Sequence, residues 1–234
     1  MQRQYTLEPI ARIQTDFPEK FGIPRQSGLV EALEGRIVFE PAYRVPEALR
    51  GLEGFSHIWL IWAFSHAGHQ GWSPTVRPPR LGGNARMGVF ATRSPFRPNG
   101  LGLSCVRLAG IGQAEGLGPV LYVRGADLMD GTPIFDIKPY LPHADCYPEA
   151  AGGFAAPHAA DGLEVDFPPE LLERVPRGKQ DALLGVLAQD PRPAYQQDGE
   201  RLYGLSFAGL EVRFRVQGGR LTVTEVQPEG GNHR

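Results

Sequence analysis

Cysteine is scarce in this chain, and long apolar stretches are missing. Only two cysteines occur, Cys105 and Cys146, and their spacing fits neither a disulfide-rich scaffold nor a cysteine-ligated metal site. No apolar run approaches the roughly 18 residues of a membrane-spanning helix. The first residues, MQRQYTLEPIARI, lack the apolar core of a signal peptide. We therefore expect a cytoplasmic protein with free thiols and no membrane segment.

Acidic residues are absent from a long central part of the chain. Between Glu53 and Glu115 there is no Asp or Glu, although the net charge of the whole chain is only −2. The same span has no lysine, and its cations are Arg77, Arg80, Arg86, Arg93, Arg97 and Arg107. Such a run is often only a solvated face, but the planar fork of arginine suits phosphates, carboxylates and base edges. We therefore expect a cationic site for an anion, and for a polyanion in particular.

Turn-forming residues are abundant, with 30 glycines and 22 prolines. This composition favours a turn-rich, mainly β architecture over a helical bundle. Six or seven strand-like segments predict a closed or nearly closed β-barrel in residues 1–150. Within it, the apolar run FSHIWLIWAF predicts a central strand that is covered on both faces, and ARMGVFATR predicts another strand.

A different pattern follows the predicted barrel. Residues 151–167, rich in Ala, Gly and Pro, are typical of a linker, and residues 168–234 predict a small α+β domain. Apolar residues at helical spacing are interrupted by Pro176, and alternating strands then meet at a Gly218-Gly219 hairpin turn.

The loop ATRSPFRPNGLGLS combines positive charge with a restricted backbone. Arg93 and Arg97 lie among prolines, and Asn99-Gly100 predicts a type I′ or left-handed turn. The loop is either an exposed hairpin corner or a preformed ligand-binding loop, and the coincidence of charge and rigidity favours the second. The later AGIGQAEGLG is followed by a strand and not by a helix, so it is not the phosphate loop of a dinucleotide-binding unit.

Further polar residues follow the strands. Asp127, Asp130 and Asp136 fall within one short segment, where Asp130-Gly is also a plain turn signal and Asp136 could equally pair with Lys138. DPRPAY is either a helix stop or a contact loop, in which Asp190, Arg192 and Tyr195 would face RNA. His66 and His69 lack a third ligand at suitable spacing, so we expect no metal site.

Four segments together resemble one known family. FSHIWLIWAF, VRPPRLGGNARMGVFATRSPFRPNGLGLS, ADLMDGTPIFDIKPYLP and DPRPAY resemble the TsaA-like (TrmO-type) proteins, which are S-adenosylmethionine-dependent tRNA methyltransferases acting on N6 of threonylcarbamoyladenosine beside the anticodon. The resemblance runs from about residue 5 to 195. Family members usually read RPNPIG or RPNPLG where this chain has RPNGLG. The resemblance implies a non-Rossmann β-barrel methyltransferase, a homodimer, S-adenosylmethionine as cofactor and tRNA as partner.

The resemblance also implies site residues, by motif. Cofactor contacts are expected from Pro24, Arg25, Gln26, Ser65, His66, Arg93, Leu103, Asp130, Gly131 and Thr132. Arg77, Arg80, Arg86 and Arg97 are candidates for tRNA phosphates or the threonyl carboxylate, and Tyr195 or Trp72 for stacking on anticodon-loop bases. The catalytic base is left open among Asp127, Asp136 and Tyr140. The alternatives are a non-catalytic RNA-binding barrel and a small-molecule hydrolase.

Overall fold

The structure is a computed structural model that describes residues 5–65, 71–78, 85–154, 162–192 and 198–230. Most of its regular elements are strands, and the longest helix in these ranges has 12 residues. The prediction of a mainly β protein is therefore confirmed. None of the helices in these ranges has the length and apolar character needed to cross a membrane.

Six antiparallel strands form the first unit. They are β1 (Ala11–Gln14), β2 (Glu34–Phe39), β3 (His57–Ala63), β6 (Leu101–Ala114), β7 (Gly118–Arg124) and β8 (Pro133–Pro139). Their order is β1-β2-β7-β6-β3-β8, and β8 pairs again with β1 to give a closed barrel. Side chains alternate across each strand, so every second residue points inward. Ile13, Ile37, Leu60 and Ile134 are fully buried in this interior.

Two predicted features of the barrel are wrong. β3 alternates between buried and half-buried residues, so one of its faces is fully covered and the other is covered only in part. The segment ARMGVFATR is not one strand: β4 (Thr75–Val76) pairs with β5 (Met87–Gly88), and a 3₁₀ turn follows at Val89–Ala91. The backbone N–H and the hydroxyl of Thr92 both donate to the Val89 carbonyl, which closes the chain into this turn.

The longer connections of the barrel contain short helical turns. Further 3₁₀ turns span Pro41–Tyr43, Pro46–Leu49 and Leu52–Gly54, and a single helical turn, α1, spans Pro142–Asp145. The type I′ turn predicted at Asn99-Gly100 is wrong, because neither residue has a positive φ. The N–H of Leu101 instead donates to the Asn99 carbonyl at 2.7 Å, a three-residue turn that leads directly into β6.

The second unit is a four-stranded sheet with two helices. Its elements are β9 (Glu164–Asp166), α2 (Pro169–Leu172), α3 (Arg177–Ala188), β10 (Tyr203–Phe207), β11 (Leu210–Gln217) and β12 (Arg220–Pro228). The strand order is β10-β11-β12-β9, with β9 parallel to β12. The predicted linker of 151–167 therefore extends too far, because β9 belongs to this sheet. The predicted hairpin at Gly218-Gly219 is confirmed, with Gln217 paired to Arg220.

The segment between β1 and β2 belongs partly to the core of the second unit. Phe17, Val30 and Leu33 are buried in the same hydrophobic cluster as the inner faces of α3 and β10–β12. The Phe17 and Phe207 rings meet edge to face with centroids 5.3 Å apart. Next to Phe17, Asp16 accepts a hydrogen bond from Nζ of Lys179 in α3 at 2.8 Å. Residues 17–33 are therefore held at both ends by the second unit.

Gly185 marks the closest approach of this segment to α3. A Cβ at Gly185 would lie 2.6 Å from Cγ1 of the buried Val30. Alanine normally stabilises a helix by about 1 kcal/mol relative to glycine. Here we expect Gly185→Ala to lower the free energy of unfolding by ~1–3 kcal/mol, because the side chain overpacks the junction. Urea denaturation measures the change.

A second glycine of α3 provides the control. A Cβ at Gly178 would meet nothing within 4 Å. Gly178→Ala should leave the free energy of unfolding unchanged or raise it by up to about 1 kcal/mol. Equal effects at the two positions would contradict the tight packing at Gly185.

Candidate functional site

A cavity of about 510 Å³ opens at one end of the barrel. The end of β3 and the start of β6 form its floor, and loops on either side form its walls. Its lining residues are Lys20, Ile23, Pro24, Arg25, Gln26, Trp62, Ala63, Phe64, Ser65, Thr92, Arg93, Pro95, Arg97, Leu101, Gly102, Leu103, Asp127, Met129 and Thr132. This volume lies in the range of cavities that hold small ligands. The lining combines an apolar floor with cations and one carboxylate.

A tryptophan, a serine and an aspartate are linked at the cavity floor. Nε1 of Trp62 donates to Oγ of Ser104 at 2.9 Å, and Oγ of Ser104 donates to Oδ1 of Asp127 at 2.6 Å. The Trp62 ring covers Gly102 so closely that a Cβ there would lie 2.2 Å from Cε2 of the ring. Ser104 is 1% exposed, so its hydroxyl is fixed by these two partners. The carboxylate of Asp127 is thereby held in one orientation.

Burial raises the pKa of Asp127 above the ordinary value of an aspartate. The hydrogen bond from Ser104, backbone N–H groups and the charge of Arg93 act in the opposite direction but do not cancel the desolvation. A carboxylate with a raised pKa is a stronger base than an ordinary aspartate, and its place beside a cavity suits it to accept a proton from a bound substrate.

Seven of the ten residues expected to contact a cofactor line this cavity. They are Pro24, Arg25, Gln26, Ser65, Arg93, Leu103 and Thr132. Within the set, Nη1 of Arg93 donates to Oε1 of Gln26, which joins the two opposite loop walls. Leu103 remains 51% exposed, so its side chain is available at the mouth of the cavity. His66 lies outside the described residues.

Asp130 and Gly131 do not line the cavity, contrary to the expectation for DGTP. Oδ1 of Asp130 accepts the N–H of Thr15 at 2.9 Å, and the Gly131 carbonyl accepts Nη1 of Arg12 at 3.2 Å. Both therefore join the turn before β8 to β1. Gly131 has a φ of 74°, which a residue with a side chain rarely adopts.

The structure also distinguishes the three candidates for a catalytic base. Asp136 pairs with Lys138 at 2.9 Å and does not line the cavity. Tyr140 packs against Trp59 with ring centroids 5.9 Å apart, and it lies away from the cavity lining as well. Desolvation and the neighbouring Cys146 raise the pKa of Tyr140, which keeps its hydroxyl protonated at neutral pH. Of the three, only Asp127 faces the cavity.

A wider groove of about 1510 Å³ adjoins the cavity. Arg25, Gln26, Thr92, Arg93 and Pro95 line both spaces. The remaining lining residues of the groove are Ser73, Thr75, Val76, Arg77, Pro78, Arg86, Phe90, Ala91, Ser94, Phe96, Ala151, Gly152, Gly153 and Phe154. None of its described lining residues is acidic. Arg77, Arg86 and Arg93 of the acid-free span thus lie together along this groove, whereas Arg107 pairs with Glu31 outside it.

The residues predicted to bind RNA divide into three groups. Arg77 and Arg86 line the groove, whereas Arg80 and Tyr195 lie outside the described residues. Arg97 lines the cavity instead, and its Nη1 donates to the carbonyls of Thr92 at 3.1 Å and Ser94 at 3.4 Å, so it holds the loop together.

The described part of the DPRPAY segment, residues 190–192, lines neither the cavity nor the groove. Asp190 and Arg192 pair with each other through two hydrogen bonds of 2.8 and 2.9 Å. Arg192 is largely buried, with 14% of its side chain exposed, and the bond to Asp190 raises its pKa. Trp72, although exposed, also lines neither the cavity nor the groove. The contact loop expected in this segment is therefore, at Asp190 and Arg192, an internal ion pair.

Several cavity residues were not predicted. Trp62, Thr92 and Met129 line the cavity but were interpreted only as parts of strands or turns, and so was Ser104, which supports the cavity through its bonds to Trp62 and Asp127. Alternation along FSHIWLIWAF places Trp62 on the inner face at the strand's end, and this signal could have identified it. The hydrogen bond between Ser104 and Asp127 joins residues 23 positions apart, and no local pattern reports it. Among the described residues, no group of three His, Cys, Asp or Glu side chains could hold a metal ion.

Family models match both units of the chain. The tRNA-methyltransferase O (TrmO) N-terminal domain matches residues 12–146, and the TrmO C-terminal domain matches residues 160–229. Together the two matches cover more than half of the chain. The first includes every described lining residue of the cavity and all those of the groove except 151–154.

Curated proteins and a solved structure agree with these matches. The tRNA (adenine(37)-N6)-methyltransferase of Escherichia coli K12 is 43% identical over 232 residues, which are 96% of this chain and 98% of that protein. The enzyme of the same name from Eikenella corrodens is 48% identical over 178 residues, covering 76% and 99%. The crystal structure of TrmO from Pseudomonas aeruginosa superposes with a TM-score of 0.77 at 36% identity, over 97% of this chain and 99% of that one.

Proposed function

Because this chain belongs to the TrmO family, we propose that it methylates N6 of the threonylcarbamoyladenosine next to the anticodon of tRNA. S-adenosylmethionine is the methyl donor. One observation carries the proposal: a cavity with a single buried carboxylate opens into a groove lined by arginines and by no described acidic residue. The barrel of residues 1–150 carries the chemistry, and the domain of residues 168–234 supports it. The protein acts in the cytoplasm, as a homodimer and without a metal.

The cavity lining suits S-adenosylmethionine. Its volume of about 510 Å³ and its apolar floor fit a nucleoside, and Leu103 and Met129 offer apolar contacts to the adenine. Arg25 and Arg93 both line the cavity, on the two loop walls that the Arg93–Gln26 hydrogen bond joins, and they are suited to the donor's carboxylate. Pro24, Gln26, Ser65 and Thr132 complete the set that holds the donor. When bound, the donor supplies a sulfonium whose methyl group is strongly electrophilic.

Asp127 is the group that accepts the proton. Methyl transfer to N6 forms an N–C bond, breaks the S–C bond of the donor and leaves one proton to be removed from N6. Ser104 holds the Asp127 carboxylate in place, and burial disfavours its charged form. Proton transfer from N6 therefore relieves the desolvation of the carboxylate. The protein otherwise contributes alignment of the two reactants.

The arginines of the groove favour a substrate that carries a carboxylate. Arg77 and Arg86 lie in the groove, and Arg93 lies at its junction with the cavity. A guanidinium can bind the threonyl carboxylate through two hydrogen bonds, and a tRNA without that group leaves the arginine unpaired. Because an unpaired arginine is unfavourable, this loss should discriminate strongly against tRNA that lacks the threonylcarbamoyl group.

Methyl transfer to two tRNA preparations tests this function. With labelled S-adenosylmethionine, tRNA that carries threonylcarbamoyladenosine should be methylated, and the same tRNA without the threonylcarbamoyl group should react at least about 10²-fold more slowly. Calorimetry should detect donor binding in the absence of tRNA. RNA binding without donor binding would support a non-catalytic RNA-binding barrel, and equal labelling of both tRNAs would exclude selection by the carboxylate.

A further inference from the structure

Two phenylalanine rings lie exposed in the groove. Phe90 is 75% exposed and Phe96 is 43% exposed, and both line the groove beside the cationic loop. Large apolar side chains of this exposure at a concave site indicate a surface that binds a partner. Val89 precedes Phe90 in the same 3₁₀ turn and is 1% exposed, so the turn is anchored while its neighbour faces outward.

The loop that carries both rings is held by hydrogen bonds on each side. The Thr92 hydroxyl donates to the Val89 carbonyl at 2.8 Å, and the guanidinium of Arg97 bridges the carbonyls of Thr92 and Ser94. Across the groove, the N–H of Ser73 donates to the Phe96 carbonyl at 3.1 Å. The two rings are therefore presented by an ordered backbone, which lowers the entropic cost of binding.

Charge determines which kind of partner fits these rings. Arg77, Arg86 and Arg93 line the same groove, and its described lining contains no carboxylate. A partner must therefore present flat apolar faces and negative charge within one groove. Unpaired nucleotides have both, because each base offers a ring face and each linkage a phosphate. Base-paired RNA hides its ring faces by stacking and does not fit.

We propose that the groove binds unpaired nucleotides flanking the target adenosine, with Phe90 and Phe96 stacking on bases and Arg77 and Arg86 pairing with phosphates. The proposal rests on the proposed function, since it makes the groove the path along which the loop of a tRNA leads into the cavity. It assigns stacking to residues other than Trp72, which lines neither space, and Tyr195, which lies outside the described residues.

Alanine and tyrosine variants separate stacking from simple packing. Phe90→Ala and Phe96→Ala should each weaken binding of an anticodon stem-loop RNA about 10-fold, since stacking on one base contributes on that order. Phe90→Tyr should bind the stem-loop as tightly as the wild type, because it retains an aromatic face. Tyr147→Ala is the matched control, since Tyr147 is 67% exposed and lines neither space. Fluorescence anisotropy with the stem-loop measures all four, and a fully paired duplex of equal length is the competitor.

A second variant examines the phosphate contacts. Arg86→Ala should reduce the slope of log affinity against log salt by about 0.7, the value for one phosphate of a single strand, and the phenylalanine variants should leave that slope unchanged. Affinity for S-adenosylmethionine, measured by calorimetry, should be unaffected in Phe90→Ala.

The outcomes distinguish this inference from the proposed function. Suppose that wild-type protein methylates tRNA, and that both phenylalanine-to-alanine variants bind the stem-loop as tightly as Tyr147→Ala does. The proposal that Phe90 and Phe96 stack on bases is then wrong, and the proposed methyltransferase function is unaffected. If the variants lose affinity equally for the stem-loop and the duplex, the rings do not read unpaired bases. If wild-type protein neither binds S-adenosylmethionine nor methylates tRNA, the proposed function itself fails.

Discussion

Asp127→Asn should lower the rate of methyl transfer by about 10²–10⁴-fold, the contribution typical of a positioned acid or base. The amide has the shape of the carboxylate and its oxygen can still accept the hydrogen bond from Ser104, which is 2.6 Å away in the wild type. It cannot accept a proton from N6. Steady-state methylation of modified tRNA measures the loss, and calorimetry shows whether the donor still binds.

Asp136→Asn is the control for this substitution. Asp136 pairs with Lys138 on the outside of the cavity, with 44% of its side chain exposed. An exposed pair of this kind contributes little, so the variant should methylate tRNA at nearly the wild-type rate. If Asp136→Asn lost as much activity as Asp127→Asn, or if Asp127→Asn stayed fully active, Asp127 would not be the base.

The pH dependence of the methylation rate should also identify Asp127 as the base. Because burial raises the pKa of Asp127, the rate of wild-type protein should decline as the pH falls through that raised pKa, above the usual range for an aspartate. The folding stability depends on pH in the opposite direction. The folded state binds this proton more tightly than the unfolded chain, so stability is full below the unfolded pKa and decreases as the pH rises through the folded one. Asp127→Asn removes this titration and should not be less stable than wild type at neutral pH.

Gly102→Ala should abolish donor binding and lower the free energy of unfolding by ~1–3 kcal/mol or more. The added Cβ would lie 2.2 Å from Cε2 and 2.4 Å from Cζ2 of Trp62, within the ring itself. The ring cannot yield without breaking its bond to Ser104, 2.9 Å away, which in turn holds Asp127. Chemical denaturation and calorimetry with S-adenosylmethionine measure the two effects.

Gly100→Ala serves as the control two residues earlier. A Cβ at Gly100 would meet nothing within 4 Å, and its backbone has no positive φ. This variant should fold and bind the donor like the wild type. Loss of donor binding in both variants would mean that any side chain in this loop is harmful, and that the approach of Trp62 to Gly102 is not the cause.

Local patterns predicted the strands better than the site. Period-two alternation was sufficient for the C-terminal hairpin, because its buried residues recur at nearly fixed spacing. It failed at ARMGVFATR, where Thr92 closes a turn on Val89 through a hydrogen bond that competes with an extended chain. This hydrogen bond joins residues only three positions apart, but an alternation pattern reports burial and not the bonds that a side chain makes to its own backbone.

The predicted site residues divide along the same line. Pro24, Arg25 and Gln26 all line the cavity, whereas of the DGTP residues only Thr132 does so. Asp130 could not be distinguished from Asp127 by residue type, since both follow β7 closely. The difference is that Asp127 turns toward Ser104, while Asp130 accepts the N–H of Thr15, which directly follows β1 and is far away in the sequence.

The chain segment that carries Pro24, Arg25 and Gln26 begins and ends in the hydrophobic cluster of the C-terminal unit, through Phe17 at one end and Val30 and Leu33 at the other. Binding of a ligand to those three residues is therefore thermodynamically linked to the folding of the C-terminal unit, although the ligand does not contact that unit. Heating that loosens the C-terminal sheet would release the methyl donor before the barrel melts, and the donor in turn would protect that sheet from proteolysis.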